Sequence, residues 1–194
     1  MKLDRNPVTG LLFGVILGII LSSAVVHLAD MRVCPQRNCV NEARITPVFN
    51  DGFFPVVHRA LQNANRSIHL IVFELKYYPK YPGSKMNILV EDIINASRRG
   101  VDVKIIVDQY SKENNAFDLL LAEGVDIVYD SEGVTTHAKT VIIDSRMVVL
   151  GSTNFSYYGL EKNNEVDVLI DSEEIAVSYE SYFREIWDWL HEGV

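Results

Sequence analysis

The sequence predicts an α/β fold, and three observations carry that reading. Apolar runs with strand character alternate with segments of helical spacing, glycines close the helical segments, and two late apolar runs flank a short polar turn. In order, Phe53 to Ala64 (FFPVVHRALQNA) has helical apolar spacing, and Ser67 to Phe73 (SIHLIVF) alternates and then runs apolar, as a strand entering a core does. The loop KYYPKYPGSK leads to a second helix, Met86 to Arg99, with Gly100 as its C-cap. VDVKIIVD reads as a strand, NNAFDLLLAEG as a helix ending at Gly124, and VDIVYD as another strand, a β-α-β-α-β rhythm. THAKTVIID and MVVLGS read as neighbouring strands about a turn at Ser145 and Arg146. A polar loop, the strand EVDVLI and a helix from about Ser172 to Leu190 complete the chain.

Length and composition narrow the function classes. With 194 residues, 48% of them hydrophobic, 2 cysteines, 11 glycines and 6 prolines, the chain is neither disordered, nor collagen-like, nor a disulfide-stapled miniprotein. A net charge of −8 argues at first sight against a nucleic-acid partner. That acidity resides in residues 161–194, where Lys162 and Arg184 face ten acids, whereas residues 1–160 balance to zero. Between Arg66 and Lys112 eight basic residues stand against five acidic ones, enough for either a locally positive face or a solvated mixed surface.

No Asp, Glu, Lys or Arg occurs from Asn6 to Ala29, and Leu11 to Leu21 reads LLFGVILGIIL. Residues 8–28 have the length of a bilayer-spanning helix, and the eleven-residue apolar core followed by Ser22, Ser23 and Ala24 also fits a cleavable signal peptide. The preferred expectation is an uncleaved N-terminal hydrophobic helix over residues 1–30. Localisation is then membrane-anchored, or secreted or periplasmic if the segment is cleaved. Residues 31–46 are expected to form a connector, and residues 47–194 the catalytic domain. Cys34 and Cys39, in CPQRNC, suit a local disulfide or two unpaired thiols.

The stretch from His137 to Glu165 carries the chemistry. On a strand, residues two apart share a face, so His137 and Lys139 pair a nucleophile or proton shuttle with a fixed positive charge. Ser152 and Asn154, also two apart where the next strand runs out, add two neutral donors. An imidazole, an ammonium, a hydroxyl and an amide suit a phosphate diester, whose oxygens need donors and charge in the transition state. Asp144 has the opposite strand parity and adjoins the hairpin turn, which reads as structural support. Lys76, Tyr77, Tyr78, Lys80, Tyr81 and Lys85 form an aromatic and basic loop that suits stacking bases or meeting lipid headgroups and equally suits an ordinary exposed loop.

The pattern His137-x-Lys139-x4-Asp144-x6-Gly151-Ser152-x-Asn154 resembles the signature of the phospholipase D superfamily. The resemblance is closest to its single-motif members, the bacterial nonspecific endonucleases and the mitochondrial cardiolipin hydrolase group. It implies a mixed β-sheet flanked by helices. It further implies a phosphodiesterase in which His137 attacks phosphorus to form a phosphohistidine, Lys139 and Asn154 hold the non-bridging oxygens, and Ser152 assists. Glu165 stands where the family places an acid that hydrogen-bonds the histidine. One motif supplies one histidine, so a homodimer sharing one active site is expected. No metal and no cofactor are required. Nucleic acid is the first expected substrate and a phospholipid such as cardiolipin the second; a catalytically silent binding module is the reading from another class.

Overall fold

The alternation in Ser67–Val72 is resolved by burial on both sides. Ile68, Leu70 and Val72 enter one core, while Ile71 enters a second. The structure is a computed structural model that describes Ile16, Ile19, Val40 and residues 42–109 and 115–192. Its strands are β1 (Arg44–Phe49), β2 (Ser67–Val72), β3 (Asp102–Val107), β4 (Asp126–Tyr129), β5 (Lys139–Ile143), β6 (Met147–Gly151) and β7 (Val166–Asp171). The helices are α1 (Phe53–Asn63), α2 (Lys85–Arg98), α3 (Ala116–Ala122), α4 (Tyr157–Glu161) and α5 (Glu173–Glu192). They build one seven-stranded sheet ordered β1-β7-β6-β5-β2-β3-β4 within a compact unit, Glu42–Val194.

The sheet is mixed, as expected. β2, β3 and β4 are parallel and joined through α2 and α3, while β5, β6, β7 and β1 add on antiparallel. Every helix-to-strand transition read from the sequence is present within one or two residues. On one face, Leu61 of α1 and Leu89 and Ile93 of α2 pack on Leu70, Ile105 and Val141. On the other face Ile71, Ile106, Ile142 and Val148 meet Ala176 and Phe183 of α5. His69 is buried there, stacked on Phe183 at 4.5 Å with Nδ1 2.7 Å from the Glu180 carboxylate, which ties α5 to β2.

Three details depart from expectation. The first half of β1 lies inside residues 31–46, the expected connector; it is an edge strand in which only Val48 is buried, so its sequence carries no apolar alternation. Pro47 is tolerated because an edge strand has one unpaired side. The turn between β5 and β6 spans residues 144–146, with Asp144 and Ser145 at φ 55° and 50°, one residue earlier than the Ser145–Arg146 reading. Short polar side chains adopt this left-handed geometry most readily after glycine. Finally, α4 lies within the stretch read as a polar loop, started by the Ser156 side chain, which accepts from Gly159 N. Apart from Ile16 and Ile19, the expected anchor at residues 8–28 lies outside the described residues, as do Cys34 and Cys39. Among the described residues no helix is long and apolar enough to cross a membrane.

Candidate active site

The parallel strands β2, β3 and β4 end at one edge of the sheet, where β5 and β7 begin and β6 ends. In open α/β sheets this edge, beyond the carboxyl ends of the parallel strands, is where ligands bind. Lys139, Glu165, Ser152 and Asn154 all lie there.

Lys139 opens β5 and is buried. Its Nζ donates to the carbonyl of His137 at 2.9 Å and lies 5.1 Å from the centre of the Phe73 ring. Burial pulls the Lys139 ammonium below the usual lysine range, while the carboxylates of Glu74, Glu165 and Asp108 work against that pull. His137 precedes β5 rather than lying within it, because the regular ladder begins at Lys139; Phe73 N still donates to Ala138 O at 2.9 Å. The imidazole is exposed and packs against Phe73, with ring centres 4.8 Å apart. Phe73 therefore touches both members of the pair.

The segment carrying His137 is anchored by two buried carboxylates. Thr136 N donates to Asp108 at 2.9 Å and to Asp130 at 2.9 Å, and Asp130 also accepts from Gln109 N at 2.9 Å. Asp108 and Asp130 follow β3 and β4 directly, so the sheet itself sets the loop's position.

Glu165 is buried just before β7, its backbone bound to Asn50 in both directions. Its carboxylate accepts from the Ser152 hydroxyl, and from the Asn163 amide at 2.9 Å. Among the described residues no hydrogen bond joins Glu165 to the His137 ring; within one chain the acid is engaged by the loop after β6 and the residues before β7. Ser152 also accepts from Val166 N at 3.0 Å, so its hydroxyl is committed to β7. Asn154 is half-buried, and its amide oxygen has no hydrogen-bond partner among the described residues. Two glycines make this loop possible. A Cβ on Gly151 would lie 2.2 Å from an Asp167 carboxylate oxygen, and one on Gly159 2.2 Å from the Asn154 carbonyl. Asp167 uses that space to accept from Thr153 N at 3.1 Å and from the Thr153 hydroxyl at 2.6 Å. Burial raises the Asp167 pKa, and the Thr153 bonds oppose the rise.

Asp144 stands at the far end of β5. Its carboxylate accepts from Arg66 N at 2.7 Å, Ser67 N at 3.0 Å and Asn65 N at 3.1 Å, tying the start of β2 to the β5–β6 turn. Among the described residues no three His, Cys, Asp or Glu side chains converge as a metal site.

Sequence reasoning missed Phe73, Glu74, Asp108 and Asp130. Their shared signal is position, since each lies within two residues of the end of a parallel strand.

A mixed sheet that gathers imidazole, ammonium, carboxamide and carboxylate at one edge is the layout of a phospholipase D-like domain. Residues 57–187, more than half of the chain, match the family described as "Cardiolipin synthase, PLD-like domain", and the chain belongs to that family. It is 30% identical over 131 residues to the phospholipase D of Rickettsia typhi, covering 66% of this chain and 59% of the relative. Against the mitochondrial cardiolipin hydrolase of Chlamydomonas reinhardtii it is 25% identical over 158 residues, 80% of this chain and 64% of that one. The chain thus spans about three fifths of the length of these curated relatives. The fold is shared with the phospholipase D family member Nuc from Salmonella typhimurium, with a TM-score of 0.66 at 24% identity over 76% of this chain and 95% of that one.

Proposed function

We propose that this protein is a phosphodiesterase that works through a phosphohistidine at His137. The observation that carries the reading is the exposed His137 imidazole and the buried Lys139 ammonium, both packed against Phe73 at the edge of the sheet beyond the ends of its parallel strands. An imidazole nitrogen of His137 attacks phosphorus, forming a P–N bond as the P–O bond to the leaving group breaks and a second acid protonates the departing oxygen. Water then attacks, the P–N bond breaks and His137 is restored. Lys139 and Asn154 stabilise charge on the non-bridging oxygens. Glu165 supports the field around Lys139 and, through Ser152, the loop bearing Asn154.

The second acid is assigned to His137 of another copy in a homodimer. A cleft of about 430 Å³ opens beside His137 and is lined by Val134 and, on α5, by Tyr182, Ile186, Trp189 and Leu190. Val134, Tyr182 and Trp189 are each more than half exposed, an apolar surface suited to a second copy. The segment at residues 8–28 would hold this dimer at a membrane, or direct it across one if cleaved.

Nucleic acid is the first substrate, supported by the tyrosines and lysines of residues 76–85 beside Asn154. Phospholipid is the second reading, favoured by the names of the relatives, phospholipase D and cardiolipin hydrolase. The test offers the full chain single-stranded DNA, RNA, duplex DNA and cardiolipin vesicles in parallel, with His137→Asn as control. Cleavage of at least one substrate, lost in the control and retained in excess EDTA, is expected. Activity that vanishes on chelation and returns with Mg²⁺ or Zn²⁺ would contradict the mechanism.

A further inference from the structure

The cleft toward α5 is not the only opening at the sheet edge. On the other side of the site a pocket of about 690 Å³ is lined by Tyr78, Tyr158, Lys76, Asn115, Ser156 and Asn154. The two openings differ in chemistry. The α5 side is apolar and carries the carboxylates of Asp130 and Glu185, which repel a polyanion. The tyrosine side is the more polar of the two; it carries one carboxylate, Glu74, against the two of the α5 side, and the segment Lys76–Lys85 beside it has three lysines and no acid. A phosphate chain leaving His137 is therefore drawn toward the tyrosines.

Tyr78 is held before any ligand arrives. Its backbone N donates to Asn87 Oδ1 at 2.9 Å, Asn87 Nδ2 donates back to its carbonyl at 2.9 Å, and Asn87 is fully buried. The Tyr78 hydroxyl accepts from Tyr157 N at 2.9 Å, which joins the loop to the start of α4, where Tyr158 stands 67% exposed. The adjacent backbone is clamped as well, since Asn115 bonds both the N–H and the carbonyl of Tyr77. Ordering an aromatic platform in advance lowers the entropy lost on binding. A phosphate or glycerol headgroup needs no aromatic platform, and an acyl chain gains little from amides and a lysine. A nucleobase uses both, its faces against rings and its edges against polar groups.

We infer that the pocket beside Asn154 seats a nucleobase of a single-stranded polynucleotide against Tyr78 and Tyr158, with the adjoining phosphates passing Lys76 and Lys80. The inference rests on the nucleic-acid reading of the site and names its recognition element.

The experiment measures binding of two fluorescent oligodeoxynucleotides of equal length, oligo-dT and a fully abasic analogue, to the full chain carrying His137→Asn. The oligonucleotide with bases should bind about tenfold more tightly. Adding Tyr158→Ala should erase most of that difference while leaving the abasic affinity unchanged, and Tyr158→Phe should preserve it. Equal affinity for the two oligonucleotides, equal weakening of both by Tyr158→Ala, or no binding of either overturns the pocket assignment. Turnover of bis(p-nitrophenyl) phosphate by the wild-type chain separates the two readings: if the diester is hydrolysed, only the base pocket has failed, and if it is not, the phosphodiesterase reading has failed too.

Discussion

The two ends of β5 carry the two halves of one sequence pattern and do different work. At its start, Lys139 is buried, pulled down in pKa and joined to an exposed histidine through Phe73. At its finish, Asp144 spends its carboxylate on three backbone N–H groups of residues 65–67. Five residue-to-residue steps of strand separate them, roughly 17 Å at the usual rise, so Asp144 does not share a phosphate with Lys139 within one chain. The four residues between Lys139 and Asp144 measure out a strand. A motif written on one line thus joins a strand end at the candidate site to a strand end that braces the fold, and substitution should split it.

The largest split is expected between His137→Asn and Asp144→Ala. The first should lower turnover more than about a hundredfold while leaving the melting temperature near wild type. The second should cost about 2 kcal/mol of stability and leave kcat per folded molecule near wild type. Thermal melts alongside kinetics decide this, and a stable but inactive Asp144→Ala would place both strand ends in the chemistry. Lys139→Met should lower kcat by about a hundredfold; a change confined to KM would make Lys139 a binding residue alone.

Subunit exchange gives a smaller effect. Equal amounts of wild-type and His137→Asn chains should retain roughly 25% activity if each dimer shares one site, and about half if each chain works alone. Activity after exchange, with sedimentation to verify dimers, separates the two.

The smallest effect is on pH dependence. Because burial lowers the Lys139 pKa, the charge proposed to assist catalysis is lost at a lower pH than for a free lysine, which should give an alkaline limb in kcat/KM. Glu165 raises that pKa, so Glu165→Gln should move the limb to lower pH. An unmoved limb would detach it from Lys139. The same shift has a sign for stability: the folded state binds the proton less readily than the unfolded chain, so the Lys139 penalty is present below the depressed pKa and fades as pH rises through it toward the usual lysine value.

Much of this arrangement was legible in the sequence because strands buried on both faces are apolar without interruption, as IIV and VII are in β3 and β5. β1 was hidden because an edge strand with one buried residue has no pattern to read. Spacing singled out His137, Lys139, Ser152 and Asn154, and the family resemblance singled out Glu165, but neither could show how these side chains are engaged: Glu165 serves Ser152 and Asn163, and the Ser152 hydroxyl is turned to β7. Asp108 and Asp130 were invisible for another reason. Each looks like a polar strand end, and only the parallel pairing of β3 with β4 brings both to Thr136 N.

Phe73 gives the His137 imidazole a spectroscopic address. With the phenyl ring centre 4.8 Å away and the planes inclined at 52°, the imidazole protons sit in the ring current of Phe73. In a nuclear magnetic resonance spectrum they should be displaced from those of His58 and His191, which have different aromatic neighbours. Phosphorylation of the imidazole, or its rotation off Phe73, would change that displacement, so the same ring that packs the site also reports when it is occupied.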